Sequence, residues 1–217
     1  MKTDARLKQD VVDELKWDPA VDQTKIGVAV TEGAVTLSGH VSNYAEKVAA
    51  KAAARRVDGV HAIVDKVDVQ VESRHRASDE GLAERISHVL TWNVSAPGKS
   101  IKAEVQNGIV TLTGEVDWHY QRANVLQNIE HVAGVIGVID LVKIRPRASA
   151  GDVQGRIAAA LERHADIEAS RVAVTIANGT VTLNGEVESL AEMDRVERAA
   201  WAGPGVVKVI DNLRIAR

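Results

Sequence analysis

Three aspartates, Asp65, Asp140 and Asp211, have the clearest claim to chemistry. Each stands among aliphatic residues of one parity in a strand-like run: Ile63, Asp65, Val67; Val138, Asp140, Val142; Val209, Asp211, Leu213. An acid in apolar surroundings has a perturbed ionisation and is a candidate general acid or base. Acid–base catalysis also needs a partner within hydrogen-bond reach. No His, Lys or second acid recurs with these aspartates. They are therefore expected to be structural, each carboxylate hydrogen-bonded locally or turned outward by a bulge.

The seven histidines, His40, His61, His75, His88, His119, His131 and His164, show no metal-ligand spacing. A zinc site needs three or four convergent ligands. With no cysteine in the chain, disulfides, thiolate metal sites and thiol catalysis are excluded. The glycine pairs Gly33/Gly39, Gly108/Gly114 and Gly179/Gly185 flank a strand. A phosphate-binding glycine loop instead follows a strand and opens a helix. No catalytic, cofactor-binding or metal-binding residue is expected.

The elements that position these residues are repeated. "EGAVTLSGHV" at 32–41 returns as "NGIVTLTGEV" at 107–116 and "NGTVTLNGEV" at 178–187. Anchored on Gly39, Gly114 and Gly185, the copies lie at offsets of 75 and 71, and Leu7–Val69 aligns with both others without a gap. Such self-similarity is the signature of a module used several times. Leu7, Val11 and Leu15, with Leu82, Ile86, Leu90 and Val153, Ile157, Leu161, trace one apolar helical stripe per copy. Ser78 is a start signal for the second of these helices.

Two short strands follow, joined by a tight Gly-containing turn. Gly39, Gly114 and Gly185 are expected where the second strand passes toward a helix, permitting a turn or a close backbone contact. That helix opens with capping boxes at Asn43/Glu46 and Ser189/Glu192; the middle copy is expected to cap with Asp117. It ends near Gly59, Gly134 or Gly205, and a Val/Ile-rich strand closes the unit. The fold class is α+β: three tandem αββαβ domains, 1–72, 76–147 and 150–217, each with two helices on a small mixed three-stranded sheet. Polar stretches, one containing Pro146, link them.

Helix, hairpin with G-x-V-T-L-x-G-x-V, helix, then G-V-x-x-V-x-[DN]-x-[LV]: this order resembles the BON domain, in all three units. The family occurs in osmotically inducible periplasmic proteins, outer-membrane lipoproteins and secretin- or channel-associated proteins. The resemblance implies a non-enzymatic αββαβ module that binds phospholipid or membrane surfaces, often in envelope stress. Many members carry an export or lipoprotein signal, and the charged segment "MKTDARLKQDVVDELKW" does not read as one. The expected location is therefore cytoplasmic, with peripheral contact at the inner membrane open to it. No apolar run approaches the ~20 residues of a membrane span.

The remaining candidates are aromatic and basic. Measured from the apolar stripe of the second helix, Tyr120 and Trp201 point outward. Trp17 and Trp92 lie at one aligned position past the first-helix stripe, whereas Trp118 falls near the buried line. Exposed rings anchor at membrane interfaces or protein partners, or join one repeat to the next, and contact between units is the favoured expectation. Lys47, Lys51 and Arg55 form a basic i, i+4, i+8 line, and Arg122 adds a charge beside Tyr120. With 27 basic and 30 acidic side chains, the net charge of −3 gives no reason to expect nucleic acid. The middle unit alone is net positive, helped by Arg74, Arg76, Lys143, Arg145 and Arg147. Anionic phospholipid or a membrane-associated protein is the expected partner. A cytoplasmic protein-interaction or chaperone-like scaffold without lipid binding is the alternative.

Overall fold

The computed structural model describes residues 2–71, 78–92, 100–145, 157, 159, 171–203 and 205–216. The first unit runs α1 (Asp4–Trp17), β1 (Ile26–Thr31), β2 (Ala34–Val41), α2 (Tyr44–Arg56) and β3 (Ala62–Val69). The second repeats it as α3 (Asp79–Trp92), β4 (Ile101–Gln106), β5 (Ile109–Val116), α4 (His119–Glu130) and β6 (Gly137–Ile144). The third shows β7 (Val172–Ala177), β8 (Thr180–Val187), α5 (Leu190–Trp201) and β9 (Lys208–Ile215). Its expected first helix, with Val153 and Leu161, lies outside the described residues apart from Ile157, which is buried in the third core, and Ala159.

Local chemistry explains each unit. Thr3 accepts a hydrogen bond from the Arg6 amide and starts α1, which buries Leu7, Val11 and Leu15. The hairpin turns place both central residues at positive φ: Glu32 and Gly33, Asn107 and Gly108, Asn178 and Gly179. This is the type I′ turn, whose twist matches that of the strands it joins. The central strand pairs antiparallel with the first and parallel with the third. A parallel pair requires a crossover, which α2, α4 and α5 supply. Each unit keeps its own aliphatic core, built around Leu37, Leu112 or Leu183.

Two expectations are corrected. Gly39, Gly114 and Gly185 lie inside the central strands, opposite Ile26, Ile101 and Val172, rather than at the passage into a helix. Their φ values are 116°, 132° and 138°. A Cβ there would stand 2.1, 2.1 and 2.0 Å from the carbonyl oxygens of Lys25, Ser100 and Arg171. Close approach of two backbones, at a backbone angle few L side chains adopt, is what demands glycine. Secondly, α4 does not cap with Asp117: Trp118 occupies the N-cap, and the Gln121 side chain accepts from the amides of Asp117 and Trp118. Glu46, Gln121 and Glu192, aligned in the repeat, are all buried and all reach back this way. In every unit this side chain accepts the amide of the residue before the N-cap, Ser42, Asp117 or Glu188, and Gln121 also takes the N-cap amide of Trp118, the backward half of a capping box.

The units are not independent beads. Tyr44, His119 and Leu190 open the second helix of each unit and occupy one aligned position. Tyr44 packs on the middle core. His119 stacks on Trp201 of the third unit, ring centroids 4.4 Å apart and 15° from parallel. Leu190 is buried in the core of the first unit. The same position thus points from first to second, second to third and third back to first. Packing of α2 on both α4 and α5 agrees with a closed, pseudo-threefold ring.

Gly114→Ala should lower stability by about 3 kcal/mol or more, since both strain and a backbone clash must be relieved. Urea unfolding of the variant beside Gly137→Ala, where an added Cβ meets only the Ile109 side chain at 3.7 Å, measures it.

Candidate interaction surface

Asp65, Asp140 and Asp211 lie on the edge strands of their sheets. In each, Oδ1 accepts the amide two residues on: Val67 at 3.1 Å, Val142 at 3.0 Å, Leu213 at 2.8 Å. An edge-strand amide occupied by its own side chain is withdrawn from pairing with another strand. In two units the carboxylate also meets a cation from the crossover helix. Lys47 reaches Asp65 at 3.4 Å and donates to the Val67 carbonyl at 2.6 Å, and Arg122 pairs with Asp140. The third unit has Met193 at that aligned position, and Asp211 makes no ion pair among the described residues.

The basic line on α2 is consequently divided. Lys47 is engaged within its unit, Arg55 pairs with Asp194 across the ring, and Lys51 alone is exposed. In the middle unit Arg145 approaches Glu115 and Asp117, while Lys143 is exposed. Arg74, Arg76 and Arg147, with His75 and His164, fall outside the described residues.

The aromatic side chains separate into two groups. Trp201 is half-buried between units: it stacks on His119, packs on the middle core, and its indole N–H donates to Glu197. Trp118 is half-buried. Trp17 and Trp92 are 85% and 80% exposed at the last residues of α1 and α3, and Tyr120 is 57% exposed at the start of α4. The two tryptophans are aligned in the repeat. Among the described residues no group of three or more His, Asp or Glu is placed to hold a metal ion.

Sequence reasoning passed over two sets of residues. Asp4 accepts from the turn amides of Glu32 and Gly33, and Asp79 from those of Asn107 and Gly108, so the start of the first helix clamps the hairpin. The alignment held that signal, since the two stand at the same position; the third copy has Ala150 there. The junction residues Tyr44, His119 and Leu190 carried no such signal, because their side chains have nothing in common.

The BON domain family model matches residues 3–71, 78–146 and 149–217. The chain is similar to the osmotically inducible protein Y of Escherichia coli strain K12, at 28% identity over 145 residues, spanning 65% of this chain and 70% of that protein. Among solved structures, CdsD, a structural protein of the type III secretion system of Chlamydia trachomatis, aligns at 18% identity and a TM-score of 0.27, covering 97% of this chain and 92% of that one. The PrgH periplasmic domain aligns at 12% identity and a TM-score of 0.24, covering 95% and 100%.

The His119 stack gives a pH test. Burial, and next the charge of Arg122, hold its imidazole below the ordinary value of 6.5, against an opposing pull from Asp140. The folded ring therefore binds a proton less readily than the unfolded one. Its stabilising contribution is present above pH 6.5 and is lost as pH falls through the depressed folded value. The melting temperature should drop more between pH 7.5 and 5.5 in the wild type than in His119→Leu, which carries the third unit's residue. Equal drops would remove the imidazole from the junction.

Proposed function

The chain belongs to the BON domain family, and from that premise we propose that it is a non-enzymatic adhesion module that holds an anionic phospholipid surface. The observation that carries this reading is the pair Trp17 and Trp92, almost fully exposed at equivalent helix ends of two units. Large apolar side chains held exposed at one repeated position are candidates for contact with a partner surface. Indole, with an apolar body and a polar N–H, suits the boundary between head groups and acyl chains. Tyr120 and Lys51, exposed on the second helices, add a third ring and a basic charge. Near an anionic bilayer such a charge is worth about 1 kcal/mol.

In this reading Trp201, Arg55, Arg122 and Lys47 hold the scaffold together and the exposed rings make the contact. No helix among the described residues is long and apolar enough to cross a membrane, so attachment is peripheral. Similarity to the osmotically inducible protein Y supports placing that attachment in osmotic or envelope stress.

Co-sedimentation with phosphatidylglycerol and phosphatidylcholine vesicles tests the proposal. Binding is expected to phosphatidylglycerol and to weaken with salt. Covering half of an indole's ~200 Å² at ~25 cal/mol per Å² is worth about 2.5 kcal/mol, so Trp17→Ala with Trp92→Ala should abolish measurable binding. Wild-type protein that ignores both vesicle types would favour the protein-scaffold alternative.

A further inference from the structure

Each sheet buries one face of its central strand in the unit's core and turns the other outward. On that outer face every unit exposes one large aliphatic side chain at an aligned edge-strand position: Val64, Ile139 or Ile210. The middle unit alone adds to it. Leu141 is 54% exposed beside Ile139 at 48%, and Ile109 extends the patch onto the central strand. The first and third units carry Lys66 and Asn212 at the position of Leu141.

The strand register arranges this face about a central row. Ala103, Leu112 and Asp140 lie side by side across β4, β5 and β6. On one side of that row stand Lys102, Thr113 and Leu141, and on the other Glu104, Thr111 and Ile139. Alternation along a strand turns both flanking rows outward. A half-turn about an axis laid along the central row exchanges the two. Each residue then faces its counterpart in a second copy: leucine meets isoleucine, threonine meets threonine and lysine meets glutamate, each twice. Lys102 and Glu104 are exposed and form no ion pair among the described residues, so both charges are available.

We propose that this face is a dimerisation surface, on which a second copy of the chain packs sheet to sheet about that two-fold axis. Such a contact is isologous, the same patch meeting itself. Strands running antiparallel across it satisfy the aligned packing of twisted sheets. The charges choose the occupant, because opposite signs stand at the positions the rotation exchanges. Those positions read Gly27 and Ala29 in the first unit, Ala173 and Thr175 in the third, so the other outer faces lack the pattern. Strands ~4.8 Å apart and ~3.3 Å per residue make a face of about 15 by 25 Å, and a contact of about 1000 Å² in total. That is the low end of specific association and sets a reversible, micromolar dimer. The residues lie on the sheet rather than at the helix ends, so the inference stands without the membrane reading.

Sedimentation velocity of the intact chain, from low to high micromolar concentration, is the experiment. Monomer should give way to dimer and to nothing larger, because an isologous contact closes on itself. Leu141→Lys installs the first unit's exposed residue and places a charge in each apolar pair. It should weaken the dimer about a hundredfold or more, while circular dichroism shows the chain still folded.

Lys102→Glu sets glutamate against glutamate twice and should weaken the dimer about tenfold or more; adding Glu104→Lys should restore it. That rescue reads the two-fold register, which a fault in folding would not reproduce. A chain that stays monomeric would overturn the proposal and give the face to a different protein, and larger species would overturn it too. So would a dimer indifferent to Leu141→Lys or to Lys102→Glu, or one that the charge exchange fails to restore.

Discussion

The first residue of each crossover helix has nowhere in its own unit to go. A module of some 70 residues buries only about 60% of its unfolded surface, and its sheet and two helices leave the opening turn of the second helix uncovered. Tyr44, His119 and Leu190 are each placed against the neighbouring unit instead. Three modules that each hand one side chain to the next, with the third handing back to the first, close into a ring. From that closure follow the burial of Trp201, the Arg55–Asp194 pair and the cleft beside Leu190.

Closure also divides the chain's labour. Inside each unit, demands common to all three are met by the same residue types. Glycine stands where two backbones touch, aspartate holds an edge-strand amide, and a buried Glu or Gln ties the helix start. Between units the demands differ, and the side chains differ with them. A repeated scaffold with unequal junctions makes the seams differ: a ring and a cation stand at two of them, and a cleft opens beside Leu190 at the third.

This division decides what was legible in the sequence. The glycine–Val-Thr-Leu phrase fixed the hairpins, because a two-residue turn at positive φ tolerates few residue types. The three-unit α+β architecture followed from the 75 and 71 offsets. Gly39 was harder to place, since a glycine inside a strand and one at its end read alike until the Lys25 carbonyl is seen beside it. The ring was not legible. Tyr44, His119 and Leu190 share no chemistry, so alignment gives them no weight. Arg55 meets Asp194 across 139 positions. Tyr120 and Trp201 both point away from the buried stripe by helical angle, yet only Trp201 has a neighbouring unit over it. An angle on a helix tells which side faces away from its own core and nothing about whose core lies opposite.

Small-angle X-ray scattering of the intact chain tests the closed ring most directly. Three touching units of this size, each with a radius of gyration near 11 Å, give about 20 Å when closed and about 26 Å when strung in line. A dilute-solution value near 20 Å, with a distance distribution that falls to zero without an extended tail, is the expected result. A value near 26 Å would show separate beads and contradict the junctions on which everything above depends.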